Sequence, residues 1–168
     1  LLGRHAVGHI LAAAAVALAS GRDLASLKPR IERLQPVEHR LQLLDGSGGV
    51  TVIDDAYNSN PEGAAAALEV LEAMPARRRV VVTPGIVELG PLQEDENRRF
   101  GERAGQVADV LIVVAGLNRH ALVEGASSGE AEVITVDTLE EATTKLRGIL
   151  AAGDVVLFEN DLPDQYEG

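Results

Sequence analysis

"VTVIDDAYNSNPEGAAAALEVL", residues 50–71, changes its periodicity halfway along. Val50 to Ile53 are all β-branched, which suits a pleated strand. From Ala64 the alanines and leucines suit a helix. Asn60 and Pro61 stand between them, an N-cap type followed by proline at the first helical position. The stretch therefore reads as strand, loop, helix. The loop "AYNSN" lies at the carboxyl edge of its strand, where open α/β sheets bind ligands. Side chains alternate along a strand, so Asp54 and Asp55 point to opposite faces and one of them faces a ligand. A carboxylate there can accept hydrogen bonds from a ribose diol, and a helix N-terminus favours an anion. The same residues equally suit a plain turn, with Asp54, Asn58 and Asn60 bonding locally and Tyr57 packing on the loop.

Working outward, "RLQLL" (40–44) and the strand ending at Ile53, Asp54 or Asp55 form a hairpin across "DGSGG" (45–49). After a helix over 61–74, strands are expected at 78–83, 109–115, 132–136 and 154–159. Helices near 92–107 and 118–124 and over 138–150 separate them. Alternation with short connections is the pattern of a mostly parallel sheet with helices on both faces. Before the hairpin, residues 5–34 read as two helices broken at Ser20–Gly21. Asp23 caps the second, and Leu24, Leu27, Ile31 and Leu34 share a face. "QPVEH" (35–39) is a linker.

Composition narrows the class. The 168 residues suit one α/β domain with a piece of a neighbour, and Leu1 rather than Met at the start leads us to expect a longer protein. With 2% aromatic residues, Ala, Val and Leu must build the core. A net charge of −11 argues against nucleic acid and anionic membrane surfaces. The absence of cysteine fits a reducing cytoplasm, and no apolar run reaches the length of a membrane span. His5 and His9 stand at i, i+4, but the stretch lacks the glutamate of H-E-x-x-H. His39 and His120 have no evident partner. Glu94 and Arg98 pair along a solvated helix face, and the acids of "ENDLPDQYEG" (159–168) read as a tail.

Five stretches, in order, are similar to the Mur ligases, ATP-dependent amide ligases of peptidoglycan precursor synthesis. "IDDAYNSNPEGAAAALEVL" resembles their D-D-S-Y-N-A-N-P stretch, and "GRHAVGHILAAAAVA" their G-x-H-N-V-x-N-A-L-A-A helix. "EHRLQ" resembles G-R-x-Q, "VVVTPGIVELG" resembles V-x-L-G-x-M-x-E-L-G, and "AAGDVVLFE" the final G-D-x-V-L strand. The resemblance implies residues 1–35 as the last helices of a central ATPase domain and 36–168 as a Rossmann-like C-terminal domain. It is nearest to the branch that adds D-alanyl-D-alanine.

In such ligases ATP phosphorylates a substrate carboxylate, an amine attacks the acyl phosphate, and phosphate leaves. The partners implied are ATP with Mg²⁺, a UDP-linked muramoyl peptide, an amino-acid or dipeptide substrate, and the upstream domains. No G-x-x-x-x-G-K-[ST] loop occurs in the chain, so this piece alone is expected to be inactive. By resemblance Asp55 accepts the ribose hydroxyls and Arg40 sits near ribose or phosphates. Tyr57, Asn58 and His5 belong to the same nucleotide site, and Asn60, Glu159 and Asn160 to the substrate side.

Three departures stand out: Ala6 and His9 replace the asparagines of H-N-V-x-N, and Gly85 replaces an aspartate. K-G-S-R reads Glu159–Asn160–Asp161–Leu162, exchanging two bases for two acids. A nucleotide-binding or interaction module without ligase chemistry is the alternative. A dinucleotide-binding domain is disfavoured, because no G-x-G-x-x-G follows a strand.

Overall fold

The computed structural model describes residues 1–160, except the side chain of His5. The chain opens with α1 (Arg4–Ala19) and α2 (Leu24–Ile31), where the Asp23 carboxylate caps the second by accepting from Ser26 N at 2.9 Å. The expected apolar face of α2 does not form. Leu27 alone of its four leucine and isoleucine positions is buried, while Leu24 and Leu34 are exposed. The helix stops at Ile31, close behind Pro29, so Leu34 never joins the stripe.

Six strands follow: β1 (Gln42–Asp45), β2 (Thr51–Asp55), β3 (Arg79–Thr83), β4 (Val110–Val114), β5 (Glu132–Val136) and β6 (Val155–Glu159). Between them lie α3 (Pro61–Ala73), α4 (Gln93–Val107), α5 (Arg119–Ala126) and α6 (Leu139–Ile149). The described strands form one sheet in the order β1-β2-β6-β3-β4-β5, with β1 antiparallel and the rest parallel. This is the expected α/β architecture. The last described strand is inserted between β2 and β3, so strands far apart in sequence become neighbours at their carboxyl ends.

The two faces are covered unequally. Ile53, Val81, Leu111, Val113 and Leu157 pack under α3, α4 and α5 through Leu68, Phe100 and Leu122. On the other face Val80, Val82, Ile112 and Val156 meet α6 through Ala142 and Leu146. Valine and leucine fill this interior almost without aromatic help, as the composition requires.

At the amino end of β6, buried Asp154 accepts hydrogen bonds from Ala151 N, Arg77 and Arg78 at 2.9, 2.9 and 3.1 Å. Burial alone would raise its pKa, but these donors outweigh it and hold the carboxyl below its usual range. That pairing ties the β3 entry to the β6 entry at the end opposite the cleft described below.

Strand β1 begins two residues later than the hairpin pattern suggested. His39 and Leu41 adopt φ of 59° and 45°, so Arg40 sits in a tight turn rather than on the strand. This turn brings the residues before β1 against the loop after β2: Tyr57 N donates to His39 O at 3.3 Å.

Candidate functional site

Asn60 Oδ1 accepts from Gly63 N at 2.8 Å, and Pro61 is the first residue of α3. The N-cap anticipated from "SNP" therefore forms. It fixes the loop 56–60 at the carboxyl end of β2 and leaves α3 starting at the mouth of a cleft.

That cleft encloses about 690 Å³ between α1, the 36–41 turn and the start of α3. Its lining includes Arg40, Asp55, Asn58, Ser59 and Asn60, with Ala6 and His9 opposite on α1. Arg40 is held by two contacts: it donates to Asn58 O at 2.7 Å, and its guanidinium lies 4.7 Å from the Tyr57 ring centroid. The Tyr57 ring is otherwise exposed, so the cation anchors it. Asp55, Arg40, Tyr57, Asn58 and Asn60 are thus brought together. His5 lies in the first turn of α1, but its side chain is outside the described residues.

The two aspartates separate as alternation requires. Asp54 shares its face with Val52; its carboxylate takes Ala56 N at 3.2 Å and lies 2.8 Å from His39 Nδ1. His39, which looked partnerless in the sequence, therefore has one. Asp55 shares the face of Ile53, accepts from Leu41 N at 3.0 Å, and stands in register with Glu159 of β6.

Glu159 and Asn160 do not line the cleft; both are buried behind its wall. Glu159 is fully buried and accepts a short hydrogen bond from Ser59 Oγ on one oxygen. Its other oxygen has no hydrogen-bond partner among the described residues. Burial first, and the Asp55 carboxylate next, push its pKa up to about 8, although the Ser59 bond and Arg40 act the other way.

Asn160 has a φ of 64°, donates through its backbone N to Asp55 O at 3.1 Å, and through Nδ2 to Gly85 O at 2.7 Å. Asparagine is among the few residues that tolerate this conformation, which explains its exchange with the glycine of K-G-S-R. Asp161 and Leu162, the rest of that departure, lie outside the described residues.

Gly85 has a φ of 84°, and a Cβ there would collide with Asn97 Oδ1 and lie 2.9 Å from Asn118 Cβ. Asn97 in turn pairs with both Ile86 N and Ile86 O at 2.8 Å. The aspartate of the related loops would not fit this arrangement without displacing the two asparagines.

The sequence gives neither Ser59 nor His39 a role in the site. Nothing local marks them, since both act through residues brought near by the sheet. Among the described residues no group of three or more His, Cys, Asp or Glu side chains could hold a metal ion, and no helix is long and apolar enough to cross a membrane.

The family model for the Mur ligase glutamate ligase domain matches residues 39–159. The chain therefore belongs to the Mur ligase family, and this part is its C-terminal domain. The UDP-N-acetylmuramoyl-tripeptide–D-alanyl-D-alanine ligase of Mycobacterium bovis is 36% identical over 94% of this chain and 35% of its own length. The Escherichia coli protein of that name is 32% identical over 77% of this chain and 28% of its own. MurF from Acinetobacter baumannii superposes with a TM-score of 0.79 at 26% identity, covering 96% of this chain and 35% of that one. MurF ligase from Thermotoga maritima, solved in complex with ADP, gives a TM-score of 0.69 at 25% identity, covering 88% and 32%. The chain spans about a third of the length of the relatives it matches.

Proposed function

We propose that this chain is the C-terminal portion of an ATP-dependent ligase that joins D-alanyl-D-alanine to a UDP-linked muramoyl peptide. In this reading residues 1–35 close a central ATPase domain, and residues 36–168 swing over the nucleotide and present the amine. The observation that carries it is the cleft between α1 and the carboxyl edge of β2, with Asp55 and Arg40 on one wall. The names of the mycobacterial and Escherichia coli relatives support the amine assigned.

The chain's own residues have defined roles here. Asp55 accepts the ribose hydroxyls, its carboxylate held by Leu41 N. Arg40, fixed against Asn58 O and Tyr57, supplies positive charge for phosphate oxygens. His5 would approach the nucleotide from α1, and Asn60 would face the substrate beside the α3 N-terminus. Among the described residues no group of three or more His, Cys, Asp or Glu could hold a metal ion, and the Mg²⁺ ligands are assigned elsewhere. They and the phosphate loop belong to the upstream domain in this reading.

The test is a paired assay. The full-length polypeptide should release phosphate only when ATP, the UDP-linked tripeptide and D-alanyl-D-alanine are all present. The isolated 168 residues should neither turn over ATP nor form an amide bond. Steady ATP turnover by the isolated chain, or a full-length protein inert with all three substrates, overturns the proposal. The second result, with nucleotide still bound, would point to a binding module instead.

A further inference from the structure

The proposed nucleotide site gives Asp55 a role but leaves Glu159 without one. A fully buried carboxyl facing another carboxyl is costly unless something neutralises it. Three observations meet at this point. Asp55 and Glu159 are register partners on adjacent parallel strands, so both side chains leave the same face of the sheet at the same height. Ser59 Oγ donates to one Glu159 oxygen, and the other oxygen has no donor among the described residues. Asp55, unlike Glu159, reaches the cleft.

We propose that Glu159 is a positioning residue for Asp55: it keeps a proton between the two carboxyls, with Ser59 orienting it from behind. The proton makes Glu159 a donor, so Asp55 remains a single charged acceptor held between Leu41 N and Glu159. Without the proton, two carboxylates would face each other across neighbouring strands and push the Asp55 side chain off its setting. The charged groups acting on Glu159 are Asp55 from β2 and Arg40 from the turn before β1. Helix α3 turns Ala64, Ala67 and Leu68 to the core, with Glu69 and Glu72 on its outer side and Glu62 at the cleft mouth beside Asn60, and β3 ends there in uncharged Thr83.

The sequence supports a linked change. In the motifs quoted above, Ser59 stands at the alanine of Y-N-A-N-P and Glu159 at the lysine of K-G-S-R. A lysine beside Asp55 would pair with it directly. A glutamate needs a proton and a donor for its second oxygen, and Ser59 is that donor.

For nucleotide binding the inference rests on the reading of Asp55 given above, so the test has two independent arms. The first follows carboxyl carbon and backbone amide resonances of the chain from pH 5 to 10. Glu159 should titrate near 8, and the Leu41 amide, bonded to Asp55, should move with the same midpoint. Ser59→Ala should raise that midpoint, since the hydroxyl favours the charged form. Glu159→Gln, or Glu159→Lys, should hold the Leu41 amide still throughout. Titration of Glu159 in the ordinary carboxylate range, or a Leu41 amide indifferent to it, overturns the proposal.

The second arm measures ADP affinity of the full-length polypeptide, which carries the phosphate loop in this reading, across the same range. In the wild type it should fall about tenfold or more above the Glu159 midpoint, and not in Glu159→Gln. ADP binding that ignores the midpoint counts against the positioning role. If ADP fails to bind at any pH while the Leu41 amide still follows Glu159, the nucleotide reading fails and the positioning of Asp55 stands.

Discussion

His39 Nδ1 lies 2.8 Å from Asp54 Oδ2, and this contact takes the first of two consecutive aspartates out of the cleft. Asp54 is engaged on the opposite face of β2, with Ala56 N on its other oxygen. Of the two aspartates, Asp55 is the one that lines the cleft, with Glu62 of α3 also on its wall. In the full-length protein Asp55→Ala should weaken ATP about 10- to 150-fold, the equivalent of a charge-assisted hydrogen bond of about 1.5–3 kcal/mol. Asp54→Ala should leave the Michaelis constant for ATP within about twofold and cost no more than about 1 kcal/mol of stability. The reverse pattern would assign the ribose to Asp54.

Stability should depend on pH through Glu159. Its folded pKa, about 8, lies above the ordinary 4.5, so between those values the native state binds more protons than the unfolded chain. Stability is then fully present below 4.5 and is lost as pH rises toward 8. Asp154 acts in the other direction: its carboxyl is held below the ordinary 3.8, so its contribution is present above that value and fades in stronger acid. Urea denaturation between pH 4 and 9 should show a decline of a few kcal/mol at most, at about 1.4 kcal/mol per pKa unit. Glu159→Gln should flatten it. A wild-type profile no steeper than the variant's would show that the buried carboxyl is ionised throughout.

The Gly85 loop should be intolerant of a side chain. Gly85→Ala combines a left-handed conformation with a collision against Asn97, and should cost about 2–4 kcal/mol. Asn97→Ala should cost about 2–3 kcal/mol, because Ile86 N and O lose their partner in a buried setting. Both follow from equilibrium unfolding. A Gly85→Asp variant as stable as the wild type would show that the loop readily adopts the arrangement of its relatives.

Helix α1 should be the labile part of the isolated chain. Val7, Leu11 and Val16 are 56%, 64% and 68% exposed, so little burial holds the helix to the rest. Amide exchange across residues 4–19 should be faster than in β3 and β4, whose valines are buried on both faces. Slower exchange in α1 than in those strands would mean that its apolar face is covered in solution.

Much of this protein was legible in the chain itself. The β-branched run before Asp54 and the alanines after Pro61 determined a strand, a loop and a helix, because backbone preference and capping are local. Repeating that alternation determined the class of fold, and quoted motifs determined the family. Alternation along β2 also required Asp54 and Asp55 to part. Other features waited on the sheet. That Asp54 would find His39, that Arg40 would leave the strand for a turn over Tyr57, and that α2 would bury only Leu27 depend on how the segment before β1 folds back. The pairing of Asp55 with Glu159, and of Glu159 with Ser59 a hundred residues away, exists because β6 inserts between β2 and β3. Strand order is a long-range choice made by the packing of both faces together, and no local preference encodes it. The proton-dependent carboxyl pair is therefore a property of the tertiary structure, although both of its acids stand in plain view in the sequence.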